Sequence, residues 1–102
     1  MNIMKDFSKE IKSEDVLPVL KYLGKVLVKK NNDYGGAGYS IGLLGNLAHI
    51  TDKHSRIKSG IQKMLENEKL NFESLSDSYL DLAGRAIMGY LMCRRYENEN
   101  KK

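Results

Sequence analysis

Asn46, His49, Lys53 and Arg56 are separated by three, four and three residues. Those intervals stack side chains along one flank of an α-helix. Lysine and arginine supply charge there and asparagine a fixed dipole, so the flank suits an anion such as a phosphate. The same pattern also fits a solvated flank with ordinary ion pairs. A second series, Glu73, Asp77 and Asp81, has acids four residues apart. Such carboxylates can share a Mg²⁺ ion with waters and a substrate phosphate. They can equally serve the helix itself. Early acids favour the helix dipole, Ser74 with Asp77 resembles a capping box, and Asp81 can pair with Arg85.

His54 falls between Ile50 and Ile57 on the apolar side and reads as a hydrogen-bonded core residue. No HxxxH or Cys/His pair occurs, which argues against zinc. The glycine-rich stretch Asp33–Ser40 is not a Walker sequence, because no GKS or GKT follows. Its glycines either let backbone N–H groups approach a ligand at the next helix start or act as a connector.

These residues need helices to hold them. Ser13 or Asp15 can cap a first helix running to about Lys30, with Pro18 near its start and a buried stripe of Val16, Val19, Leu20, Leu23, Val26 and Leu27. Ser40 can cap a second, over about 41–66, with Leu43, Leu47, Ile50, Ile57, Ile61 and Leu65 at helical spacing. Ser74 or Ser76 caps a third, ending near Tyr96, whose apolar face is Leu80, Ala83, Ile87, Tyr90 and Leu91. Gly84 and Gly89 within it permit close helix contact. The fold class expected is all-α, a three-helix antiparallel bundle-like domain completed by oligomerisation. Residues 1–12 form a polar arm, 13–96 the domain and 97–102 a charged disordered tail. Val28, Met88, Met92 and Tyr96 are expected to be poorly covered in a monomer.

Composition narrows the class. With 102 residues there is room for one domain. The net charge of +4 is spread among charges of alternating sign, with no basic run interleaved with aromatics, so no nucleic-acid partner is expected. A single cysteine, Cys93, excludes an internal disulfide and fits the cytosol. No apolar leader opens the chain and no run of about 18 apolar residues occurs, so neither export nor a membrane span is expected.

Three blocks taken in order, KKNNDYGG at 29–36, GNLAHITDKHSRI at 45–57 and ESLSDSYLDLAGRAI at 73–87, resemble the nucleotide modification associated domain 1 family, often carried by phages and prophages. The family pattern has KNxDYG, DKxxRL and ExxxDTxxDLAxY segments. The likeness spans about residues 20–90. It implies a helical fold in phage nucleotide metabolism or modification, and it matches Asn32, Asp33, Tyr34, Gly35, Asp52, Lys53, Arg56, Glu73, Asp77 and Asp81. His49 stands where arginine is commoner, Ser78 replaces threonine, and Arg85 replaces the usual tyrosine. A looser likeness is to MazG-like all-α nucleotide pyrophosphohydrolases, which hold Mg²⁺ with carboxylates from two helices. Here the first helix offers no ExxE pair.

The leading expectation is a cytoplasmic phage-type protein that binds a nucleotide or cyclic nucleotide, with use in nucleotide metabolism or in sequestering an immune signal. Lys53, Arg56 and His49 would hold phosphate; Asn46, Asp33 and Tyr34 would contact base or ribose. The alternatives are a Mg²⁺-dependent nucleoside triphosphate pyrophosphohydrolase using Glu73, Asp77 and Asp81, and a module that binds a host protein and no nucleotide.

Overall fold

The computed structural model describes residues 4–33, 42–66 and 72–100, and of residues 31–33 the backbone alone. After a short 3-10 turn at Ser8–Glu10 come three helices: α1 (Ser13–Asp33), α2 (Gly42–Leu65) and α3 (Phe72–Asn100). Among the described residues there is no strand, and no helix is long and apolar enough to cross a membrane. The Ser8 hydroxyl and backbone N–H both bond to Asp6, which holds its carboxyl below the usual range.

The helix ends differ in detail from the sequence expectation. At the start of α1, Asp15 Oδ2 accepts the Lys12 N–H at 2.9 Å, while the Asp15 and Val16 N–H groups donate to the Lys12 carbonyl. Lys12 is thus the cap position, and Asp15 satisfies it from the third helical residue as in half of a capping box. The Ser13 hydroxyl turns instead to Glu14. Ser40 lies outside the described residues. Gly42, the first residue of α2, has φ +59°, a conformation that a side chain makes costly. Neither Ser74 nor Ser76 caps α3, which begins earlier. The Ser76 and Ser78 hydroxyls donate back to the carbonyls of Phe72 and Ser74, the mid-helix habit of serine. Nor does α3 stop at Tyr96. No glycine or proline follows, Arg94 pairs with Glu97 at 3.0 Å, and the helix continues to Asn100.

Helix α3 is the one against which both others lie. Gly42 sits near Tyr96, Asn46 at Gly89, Lys53 at Asp81 and Gly60 at Leu75. The numbers rise on α2 as they fall on α3, so the two run antiparallel. A Cβ built on Gly89 would stand 2.6 Å from Asn46 Nδ2, closer than real side chains come. Gly84 does the same for α1: a Cβ there would meet Leu27 Cδ2 at 3.1 Å. The core these contacts enclose is thin. Among the described residues Leu23, Ile57 and Met88 are its buried hydrophobic side chains, and the radius of gyration is 16.4 Å, against about 13 Å for a compact chain of this length.

Several expected core positions are therefore open to solvent. Val16, Val19 and Leu20 on α1, Leu43, Leu47 and Leu65 on α2, and Ala83, Tyr90 and Leu91 on α3 are exposed, as is His54. On α2 the reason is angular. At about 100° per residue, the residues facing α3 (Asn46, Lys53, Ile57, Gly60) centre some 60–80° from the apolar arc that holds Leu43, Leu47 and His54. On α3, Met88 rather than Tyr90 faces inward, so Met88 is covered within one chain while Val28 and Tyr96 are not.

The glycine contacts make opposite predictions for two alanines. Gly89→Ala should lower stability by about 1–3 kcal/mol through overpacking against Asn46. Gly24→Ala, where a Cβ meets nothing within 4 Å, should raise it by about 0.5–1 kcal/mol. Thermal melts followed by circular dichroism would check both; equal effects would contradict the packing described.

Candidate functional site

The polar flank of α2 divides in two. Asn46 and Lys53, seven residues apart, point along nearly the same direction and face α3: Asn46 is 6% exposed and the Lys53 side chain 19%. His49 and Arg56 lie some 60° further round and face solvent. Arg56 Nε meets Asp52 Oδ2 at 3.2 Å, an exposed i,i+4 pair. The spacing that suggested one continuous stripe spreads over about 80° of the helix, because steps of three and four only approximate the 3.6-residue turn.

The acidic series on α3 divides as well. Asp81 stands between α1 and α2: its Oδ2 is 3.2 Å from Lys53 Nζ and its Oδ1 4.0 Å from Lys30 Nζ. One carboxylate thereby faces two ammonium groups from two other helices, a local balance of one excess positive charge. Glu73 and Asp77 are exposed nearer the start of α3. From Glu73 to Asp81 the helix rises about 12 Å. The three carboxylates do not converge: among the described residues no group of three or more His, Cys, Asp or Glu side chains could hold a metal ion.

Asn46 is the other singular feature. It is buried at the α2–α3 contact, and its Oδ1 has no hydrogen-bond partner. An unsatisfied buried acceptor costs about 1–3 kcal/mol, so such groups in folded proteins call for an explanation. Sequence spacing indicated Asn46, Lys53 and Asp81. It missed Lys30, because a contact between helices leaves no periodic trace within either; Gly89 was visible as a glycine inside a helix. Asp33 closes α1 with its side chain outside the described residues, and Tyr34 lies outside them altogether. Compared with known proteins, the chain matches no family model, no curated protein and no solved structure.

The Lys53–Asp81 pair is partly screened by solvent and should contribute about 0.5–1 kcal/mol. In a double-mutant cycle, Lys53→Met and Asp81→Asn should together cost less than the sum of their separate effects, with the coupling shrinking at high salt. Strict additivity would show that the two groups do not interact in solution.

Proposed function

We propose that this chain binds a nucleotide or nucleotide-derived small molecule, with its phosphate drawn to the crevice of Lys30 and Lys53. The observation that carries the reading is the pairing, on one side of α2, of a half-buried lysine with a buried asparagine whose Oδ1 lacks a partner. The lysine attracts the anion, and the amide, buried at the α2–α3 contact, becomes an acceptor for a base or ribose donor when that contact opens. About 10 Å of helix separates the two, two turns of α2. The three sequence blocks that resemble the nucleotide modification associated domain 1 family support the same reading. Its context is the cytoplasm of a phage-infected or lysogenic bacterium, in nucleotide metabolism or in sequestering a nucleotide immune signal. The ligand is bound rather than hydrolysed. Asp81, engaged by two lysines, tunes affinity instead of holding Mg²⁺. The fold is completed as an antiparallel helical bundle by self-association.

The test is a thermal-shift screen with mononucleotides, cyclic dinucleotides and cyclic ADP-ribose isomers, with and without Mg²⁺. A ligand at 100 times its Kd should add about 2.7 kcal/mol of stability. Four variants then locate the site. Lys53→Ala should weaken binding by about 1.5–3 kcal/mol, and Arg56→Ala by less because its charge is exposed. Asn46→Leu should melt at or above the parent temperature, since it removes the orphaned acceptor, yet bind poorly. Asp81→Asn should bind more tightly, because the lysines lose their internal counter-charge. No stabilisation by any member of the panel, or Mg²⁺-dependent phosphate release abolished by Asp77→Asn, would overturn the reading.

A further inference from the structure

The chain exposes more surface than its size calls for. A compact monomer of 11.6 kDa exposes about 5,800 Å² by the usual scaling of area with mass. This chain exposes 8375 Å². The surplus of about 2,500 Å² is some three times the area that each partner contributes to a standard protein interface.

One apolar wedge lies between α1 and α3. Leu23 and Leu27 pack at Gly84, and Lys30 reaches Asp81 one turn nearer the start of α3, so α1 ascends as α3 descends. Two turns back from Leu23 on α1 is Val16; two turns on from Gly84 in α3 is Leu91. Seven residues return a side chain to nearly the same direction, so these two would cover each other if the helices stayed side by side. Instead Val16 is 41% and Leu91 50% exposed. The helices diverge, and Val19 and Leu20 are open beside them. Leu17 and Val28 extend the apolar arc of α1 further, to a width that normally belongs to a helix buried on more than one side.

We infer that a second copy of this chain covers the face formed by Val16, Val19 and Leu20 of α1 and Leu91 of α3, with the two α1 helices antiparallel across a two-fold axis. The inference rests on the reading that the chain self-associates, and names the surface. The exposed area of the whole chain exceeds what one such interface would bury. The charges fit. Helix α1 carries Glu14 and Asp15 at its start, Lys21 near its middle and Lys25, Lys29 and Lys30 in its second half. Antiparallel pairing centred on Val16, Val19 and Leu20 sets Glu14 and Asp15 of each helix beside Lys21 of the other and opposes the helix dipoles, whereas parallel pairing sets like charges together. A two-fold contact also lets one apolar patch serve both sides.

Sedimentation of the full chain, with melting temperature measured over a wide range of concentration, separates the two layers. The parent chain should sediment as a dimer or a multiple of one, with a melting temperature that rises with concentration. Val16→Glu and Leu20→Glu each place a carboxylate in the apolar contact and should weaken association at least about a hundredfold. Leu44→Glu, on a residue 79% exposed on α2, should leave the mass unchanged. Val16→Thr keeps the shape and the fold, and should weaken association about tenfold. It decides the matter if the glutamate variants do not fold. A strict monomer with a concentration-independent melt would overturn the self-association reading and this surface with it. An oligomer unaffected by Val16→Thr, Val16→Glu and Leu20→Glu would overturn the surface alone.

Discussion

Only hydrogen on the Cα of residue 89 leaves room for the Asn46 amide, and the antiparallel register of α2 on α3 is built round that contact. Once Asn46 is opposite Gly89, helical geometry brings Lys53 opposite Asp81 and Gly60 opposite Leu75. Asp81 is then placed to receive Lys30 as well. The charged crevice is in this sense a consequence of the close approach at the glycine. The approach is not free of cost. A glycine within a helix costs about 1 kcal/mol relative to alanine, and an orphaned carbonyl oxygen a comparable amount. A chain with so little buried apolar surface has small reserves to offset either, and a ligand hydrogen bond to Asn46 would recover part of the loss.

The thin core bears on motion as well as on stability. Helix α1 is attached to α3 through Leu23, Leu27 and the long reach of Lys30, while its first half is uncovered. Segments with few buried apolar contacts open at the lowest free energy. The α1 helix should therefore be the first part of an isolated chain to loosen, and Lys30 would move away from Asp81 with it. Covering the Val16–Leu20 face would hold Lys30 in place, and association would then be coupled to the charged crevice through a single helix.

The three helices were legible in the sequence, because the 3.6-residue recurrence of Leu, Ile and Val is strong in each. The ends were less so: Asp15 acts from inside α1 as an acceptor for Lys12, and nothing in the residues after Tyr96 stops α3 before Asn100. Which side of each helix faces inward was legible only in part. The widest apolar arc on α2 holds Leu43 and Leu47, yet α2 turns Asn46 and Lys53 towards α3, because that is where a glycine admits a close partner. Hydrophobic periodicity finds the arc a helix wants covered, and in a chain that leaves this much surface open the arc is not the same as the contact. Asn46, Lys53 and Asp81 were each indicated by type and spacing. Their division from His49, Arg56, Glu73 and Asp77 was not, because angular drift along a helix separates residues that a count of three or four places together.

Asn46 and the lysines around Asp81 are proposed to form one anion-directed site. The most direct test is nuclear magnetic resonance of the full chain, following the Asn46 side-chain amide and the Nζ groups of Lys30 and Lys53 during titration with the nucleotide that stabilises the chain most. If they form one site, these three groups should shift together, along one saturating curve, with the exposed His49 and Arg56 side chains shifting less. Shifts confined to His49 and Arg56 while Asn46 and Lys53 stay fixed would contradict the proposal.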